Sequence, residues 1–201
     1  EAYFGNLHVH SGWSFDATTN GSITTPDDAY RWAKGEAITA AEGQPKLQIL
    51  NPLDWYAVSD HAEYLGVLPL MADKASPLGA PPLAADTFGG DPAASFAAYQ
   101  EISDQIYGVP PSPDPELDAP EIRRTIWSKV VEIADAHNAP GRFTTFPAFE
   151  WTSAPNWQNL HRVVLFRDSG NVPDMPLSAN QFRQVVERVG KRVEQSDRRR
   201  L

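Results

Sequence analysis

Alternating apolar and polar residues predict that the chain begins with a short strand. Within residues 5–10, Leu7 and Val9 alternate with His8 and His10. Successive side chains of a strand point to opposite sides, so one face of this strand would be apolar and the other would carry both imidazoles.

Three further apolar runs predict strands, and helical patterns lie between them. The strands are expected at residues 54–58, 143–150 and 160–166, and the last two would form a hairpin. Thr25-Pro26-Asp27-Asp28 predicts the start of a helix, with a capping hydroxyl, a proline at the first helical position and carboxylates in the first turn. Apolar residues at helical spacing predict another helix over 121–138. Strands that alternate with helices favour an α/β architecture.

Residues 65–120 are rich in proline, glycine and alanine, which predicts an insertion or a lid more than a unit of the core. Within this segment, one good helix candidate covers residues 94–107. A last helix is expected to begin near Ser178, with Gln181 placed for a capping box. The whole chain, residues 1–201, is therefore predicted to be one domain that carries this insertion.

The distribution of charge narrows the choice of partner. The chain has a net charge of −9, and its first 182 residues carry −13 because the end of the chain is basic. So acidic a body is poorly suited to nucleic acid, whose binding depends on neutralising phosphates. No apolar run approaches the roughly 20 residues of a membrane-spanning helix. The expected partner is a small molecule, and neither nucleic acid nor a membrane; the oligomeric state is left open.

Cysteine is absent from the chain. Disulfides and thiolate ligands are thereby excluded, so any metal ion would be held by nitrogen and oxygen atoms. The absence also fits an exported bacterial protein. A periplasmic or secreted location is the expectation, with the cytoplasm left open.

Four of the five histidines stand in predicted strands or at their ends, close to carboxylates. His8 and His10 share one face of the first strand, and Asp16 follows in a polar loop that could fold back towards it. Asp60 and His61 come directly after the second strand, where α/β folds place catalytic groups. Taken singly, each of these residues could be an exposed strand or turn residue; together they predict a metal site.

Glu150 and His161 would flank the loop of the predicted hairpin and lie near each other across its ladder. Phe146 and Phe149 indicate that the strand leading to Glu150 is buried. A carboxylate at the end of such a strand is costly without a cation or hydrogen-bond donors. A bound metal ion accounts for it, and ligation by imidazole and carboxylate suits Zn, Mn or Fe.

Three other polar residues are assigned elsewhere. Glu63 is at least as well explained as a turn residue. His137 falls at the end of the 121–138 helix, where it would stabilise the helix dipole. Arg162 alternates with His161 along a strand, so it is expected to point away from the site.

These motifs resemble the PHP superfamily, which is named for polymerase and histidinol phosphatase members. The resemblance is carried by His8-x-His10 with Asp16, by Ser59-Asp60-His61, and by a glutamate at a strand end with a later histidine. It covers residues 1 to about 168. More closely, four strings look like a PHP-like bacterial family of unknown function: residues 5–17, 26–36, 59–66 and 159–168.

The resemblance implies the N-terminal part of a distorted (β/α)7-type barrel that holds two or three divalent ions. It implies that His8 and His10 bind one ion, that Glu150 bridges two, and that His61 and His161 serve the others. Asp16 stands where many superfamily members have histidine, which leaves the identity of the metal open.

The superfamily also supplies later ligands, a further histidine and an Asp-x-His pair, but no histidine follows His161 in this chain. The expectation is therefore that the chain is a fragment of a longer protein, and by itself a weak enzyme or an inactive one, with a reduced site as the alternative.

The leading functional hypothesis is metal-dependent hydrolysis of a phosphoester. Glu150 would hold two ions together, and Asp60 would orient or deprotonate the attacking water. The choice of phosphate rests on the resemblance, and a non-phosphate ester or an amide is the nearest variant. The alternative from another class is a non-catalytic, metal-stabilised binding module whose proline-rich middle segment is a recognition surface.

Overall fold

The computed structural model describes residues 1–108, 112–153 and 160–178. Helices and short strands are interspersed along these residues, as the mixed α/β prediction requires. The helix expected to begin near Ser178 lies outside the described residues. In chain order the elements are β1 Gly5–Asn6, α1 Phe15–Thr19, α2 Pro26–Ala33, β2 Trp55–Tyr56, α3 Val67–Ala72, α4 Pro82–Phe88, α5 Pro92–Tyr107, α6 Pro120–His137, β3 Thr144–Thr145, β4 Ala148–Ser153 and β5 Leu160–Leu165.

The first three strands form a parallel sheet in the order β1-β2-β3. Gly5 pairs with Trp55, and Trp55 pairs with Thr144. A side chain at position 5 would overlap the Trp55 indole, so this strand pair requires glycine there. The described strands do not close into a barrel, and the PHP-type barrel therefore stays a prediction.

The parallel strands are shorter than the hydrophobic pattern predicts. The strand expected over residues 5–10 is regular only at Gly5–Asn6, although backbone bonding continues to Val9, whose carbonyl accepts from the Ser59 amide at 2.8 Å. The amide of Val9 donates to the Ser59 hydroxyl at 3.1 Å. Because a side chain takes the place of the next ladder partner, His8 and His10 lie just beyond the regular strand.

The predicted hairpin is present as β4 and β5, which pair antiparallel. The strand expected over 143–150 is divided into β3 and β4 around Pro147, which has no amide hydrogen to donate to a ladder. Glu150 pairs with Val163, and His161 pairs with Thr152. Glu150 and His161 are therefore diagonal neighbours on one face of the hairpin.

Helices α2 and α6 confirm two helix predictions. Thr25 caps the start of α2 in a reciprocal capping box, in which Thr25 and Asp28 each accept a hydrogen bond from the other's backbone amide. α6 packs against α2 on one side and against the hairpin on the other, where Trp127 meets Phe149 edge to face. None of the described helices is long and apolar enough to cross a lipid bilayer.

Residues 65–120 contain more structure than the sequence predicts. Three helices form there, whereas only the one that became α5 was expected. Their apolar faces pack into a common core that also takes in Phe15 and Tyr64. α3 and α4 have six and seven residues, which is too short for a hydrophobic period to stand out, and their stability comes from this packing.

Candidate metal centre

All six side chains predicted to bind metal come together where the parallel strands end. Their potential ligand atoms form three overlapping groups, and within each group the atoms lie within 4.8 Å of one another. Glu150, His10 and His61 each belong to two of the groups, so neighbouring ions could share ligands. The groups are His8, His10 and Glu150; His10, Asp16 and His61; and His61, Glu150 and His161.

The backbone brings His61 and Glu150 side by side. The two residues form an isolated parallel bridge, in which the Glu150 amide donates to the Asp60 carbonyl at 2.9 Å. The Ala62 amide donates to the Glu150 carbonyl at 2.9 Å. The chain that leaves β2 is thus held against the start of the hairpin, and the site lies at this junction.

Glu150 stands at the centre of the cluster and is fully buried. Its Oε2 lies 2.6 Å from His10 Nε2 and 3.0 Å from His8 Nε2. Its Oε1 contacts Nδ1 of His161. Because the two oxygens face different imidazoles, the carboxylate is oriented as a bridging ligand would be. Burial raises the pKa of Glu150, but the hydrogen bond from His10 and the nearby imidazoles lower it to about 2.

Asp16 closes the second side of the cluster from the first turn of α1. Its Oδ2 lies 3.0 Å from His10 Nδ1 and 3.7 Å from His61 Nε2. Although burial opposes ionisation, hydrogen bonds from His10 and Ser14 hold the pKa of Asp16 well below its usual range. Burial likewise lowers the pKa of His10, but its bonds to Asp16 and Glu150 raise it to about 10.

The residues present fit a divalent metal ion. Four imidazoles and two carboxylates supply only nitrogen and oxygen donors, which suits Zn, Mn or Fe without distinguishing among them. Glu150 and His61 are buried, and buried ionisable groups that converge in this way need a compensating charge or many hydrogen bonds. The cluster therefore could hold metal, as predicted.

Two hydroxyl residues that the sequence analysis missed orient the ligands. Thr152 Oγ1 lies 2.8 Å from His61 Nδ1 and 3.4 Å from His161 Nδ1. Ser14 Oγ donates to Asp16 Oδ1 at 2.7 Å and accepts from the His61 amide at 3.1 Å. Thr152 was detectable, because it follows Glu150 by two residues on one strand and so shares its face. Ser14 carries no such signal.

Asp60 was predicted to act on water, but its carboxylate bonds to Ser11 and to none of the predicted metal ligands. The side chain is buried, with Oδ1 accepting from the Ser11 amide at 2.5 Å and Oδ2 accepting from the Ser11 hydroxyl at 2.7 Å. Burial raises the pKa of Asp60 to about 6. Both oxygens thus fix the turn that follows His10, and Asp60 belongs to none of the three ligand groups among the described residues.

Glu63 is buried, which the turn interpretation did not lead us to expect. Its Oε2 lies 3.7 Å from His61 Nδ1. A carboxylate at this distance lies behind the ligand nitrogen that faces the cluster, so Glu63 belongs to the surroundings of the site. Nothing in the sequence around Glu63 separates it from an ordinary turn residue.

His137 and Arg162 lie away from the cluster, as predicted. His137 Nε2 lies 2.8 Å from Asp27 Oδ1, and its ring stacks on Tyr30 at 5.2 Å. Arg162 is exposed and donates to the carbonyl of His161. The apolar groove lined by Phe149 and its neighbours is on the face of β4 opposite Glu150, so it is separate from the candidate metal centre.

Comparison with known proteins yields one family. The family model described as "Protein of unknown function (DUF3604)" matches residues 1–193. No curated protein and no solved structure matches the chain.

Proposed function

We propose that this chain, which belongs to the DUF3604 family of proteins of unknown function, is a metal-dependent hydrolase with a cluster of two or three divalent ions. The observation that supports this function is the sharing of ligands. Three groups of ligand atoms overlap through Glu150, His10 and His61. A site for a single structural ion does not need three overlapping groups, whereas adjacent catalytic ions do.

The six predicted ligands would hold the ions, and the ions would supply the chemistry of hydrolysis. Bound ions supply a Lewis acid and lower the pKa of water, which is the chemistry that metal-dependent hydrolases use. Glu150 would hold neighbouring ions together through its two oxygens, with His8 and His10 on one side and His61 and His161 on the other.

The buried groups behind the ligands would fix their directions. Thr152 bonds to His61, and Asp60 holds Ser11 in the turn after His10. Such partners of metal ligands set ring orientation and ligand basicity. The contacts of Asp60 favour this positioning role over direct action on water.

A phosphoester is the proposed substrate class. The support is the PHP resemblance of the motifs around His8, Asp60 and His161, together with the barrel that this resemblance implies. A carboxylic ester or an amide is the variant that the same ligands could serve, because metal sites of this type act on several kinds of acyl and phosphoryl bonds.

Metal content and turnover together test the proposal. Protein purified without chelator should contain at least one transition metal ion per chain by elemental analysis. Reloaded with Mn, Zn or Fe(II), it should hydrolyse a nitrophenyl phosphate monoester or diester faster than the metal-free protein. His61→Ala should lose metal and turnover together, and His137→Gln should keep both.

Failure to take up any of these metals would refute the proposal. Full metal uptake without turnover of phosphate esters, carboxylic esters or amides, both in this chain and in a longer chain that carries the later ligands, would instead support the non-catalytic, metal-stabilised binding module.

A further inference from the structure

An apolar groove crosses the face of the β4–β5 hairpin that points away from the candidate metal centre. Its floor consists of alternate residues of the two strands, Phe149 and Trp151 in β4 with Val164 and Phe166 in β5. The loop after β5 forms its wall, and the groove has a volume of about 620 Å³. A groove of this size with apolar walls indicates a surface on which another apolar element packs.

The wall of the groove is held in place from α6. Trp127, a buried residue of that helix, donates from its indole to the carbonyl of Pro173 at 2.8 Å. Leu177 lines the same wall, and 49% of it is exposed. The groove is therefore a preformed surface, which lowers the cost of ordering whatever packs there.

The sequence that follows Leu177 has an apolar face of matching length. Residues 179–201 lie outside the described part of the chain, and within 182–193 the apolar residues recur at helical spacing. As a helix, residues 182–193 would measure about 18 Å. The six residues of β4 span about 20 Å. The apolar positions are Phe182, Val185, Val186, Val189 and Val193.

This segment is tethered directly to the groove. Only residues 178–181 separate Leu177, which lines the groove, from Phe182. So short a tether keeps the local concentration of the segment at the groove high, on the order of millimolar. The family match extends to residue 193, so all five apolar positions belong to the part of the chain that the family model covers.

Charge favours the chain's own segment over a second copy of the chain. From Arg183 onwards there are seven basic and three acidic residues, whereas the first 182 residues carry −13. The basic segment is therefore attracted to the acidic body that bears the groove. Two whole chains, each with a net charge of −9, repel each other instead.

We infer that residues 182–193 dock in this groove as an amphipathic helix of the same chain. A two-stranded hairpin is only marginally stable unless another element covers its apolar face, and the docked segment supplies that cover for β4 and β5. It thereby steadies the strand that carries Glu150 without touching the ligand side of the hairpin. The inference does not depend on the proposed function.

The absence of cysteine from the chain allows a direct test by thiol labelling of the full-length protein. Val186→Cys places a single thiol on the apolar face of the segment. Gln184→Cys is the matched control, because position 184 falls on the opposite side of the same helical turn. Each variant is labelled with Ellman's reagent, folded and in urea, at several protein concentrations, and circular dichroism verifies that it is folded.

In the folded protein, Val186→Cys should react at least about 10-fold more slowly than Gln184→Cys, because a docked side chain is reached only by local opening. The two variants should react equally in urea. Adding Leu177→Asp, which places a charge on the wall of the groove, should remove the protection of the thiol at position 186. Adding Leu47→Asp, at an equally exposed leucine outside the groove, should not.

Equal rates for the two cysteines in the folded protein would overturn the inference. Protection that survives Leu177→Asp would place the segment elsewhere on the molecule and have the same consequence. Protection that disappears on dilution, together with a dimer in light scattering, would assign the groove to a second copy of the chain.

Discussion

His10 and Glu150 stand 140 residues apart in the chain, and His10 Nε2 lies 2.6 Å from Glu150 Oε2. No local element brings them together. The contact depends on the parallel pairing of β1 with β2, and on the bridge that then joins His61 to Glu150. The candidate metal centre is therefore a product of the whole fold, and changes at its centre should affect metal binding before anything else.

Glu150→Gln should prevent residue 150 from bridging two adjacent metal ions. Glutamine keeps the shape of the side chain and removes the charge that would offset repulsion between adjacent dications. We expect fewer ions per chain and a loss of turnover on the order of 100-fold or more, judged against the 10- to 100-fold effects of groups that only support ligands.

His137→Gln is the control for that change, because His137 bonds to Asp27 outside the cluster. It should cost on the order of 1 kcal/mol of stability and leave metal content intact. Elemental analysis beside turnover measures both variants. Full metal and normal turnover in Glu150→Gln would mean that the bridging role is wrongly assigned.

Removal of metal should lower the melting temperature. The ligand atoms converge only in the folded chain, so an ion at 100 times its dissociation constant adds about 2.7 kcal/mol to the free energy of unfolding. For a chain of this length that is a shift of about 5–10 °C. Differential scanning calorimetry with chelator, and then with metal restored, measures it. A melting curve that moves in neither direction would argue against a formed site.

Thr152→Val should weaken metal binding without removing a ligand. It deletes the hydroxyl that lies 2.8 Å from His61 Nδ1, and loss of such a partner reduces metal affinity by about 10- to 100-fold. Thr145→Val is the matched control, since the Thr145 hydroxyl is buried but donates to the Ala134 carbonyl in α6. It should cost about 1–2 kcal/mol of stability and leave metal affinity unchanged. Competitive titration against a metal indicator compares the two variants.

The stability of the metal-free protein and its affinity for metal should respond to pH in opposite directions. The pKa of His10 rises to about 10 on folding, so its stabilising bonds are fully present below its ordinary value of about 6.5 and are lost as the pH rises towards 10. Metal must displace that proton, so its affinity should increase over the same range.

Melting temperatures measured from about pH 6 to about pH 8.5 should accordingly fall for the metal-free protein. The increment that added metal produces should grow over the same range. A constant increment would show that metal binding does not compete with protonation of the cluster.

The sequence predicted those elements whose signals are local. Thr25, Pro26 and Asp28 specify the start of α2 by direct contact within one turn, and α6 is long enough to show its period. The hairpin followed from two apolar runs around a polar segment. The ligands were predicted because histidine beside carboxylate is uncommon and clustered at strand ends.

The features that the sequence did not predict depend on distant contacts. α3 and α4 are stabilised by a core that includes Phe15, which lies far earlier in the chain. The hydrogen bonds of Ser14 and the burial of Glu63 depend on contacts between segments that are distant in the chain. Serine and glutamate are common in the turns of any protein, so their presence alone predicts neither feature. The described strands do not close into the barrel that the resemblance implies, and periodicity along the chain does not encode such long-range pairing.

The charges of the ligand set have a consequence for how a substrate would arrive. Two carboxylates among six ligands do not neutralise two or three dications, so the loaded centre would be a small cationic region inside a protein whose net charge is −9. An anionic substrate would be repelled at long range and attracted only after it entered the site. Salt screens the long-range repulsion more than the short-range attraction, so moderate salt should accelerate association, the reverse of ordinary electrostatic steering.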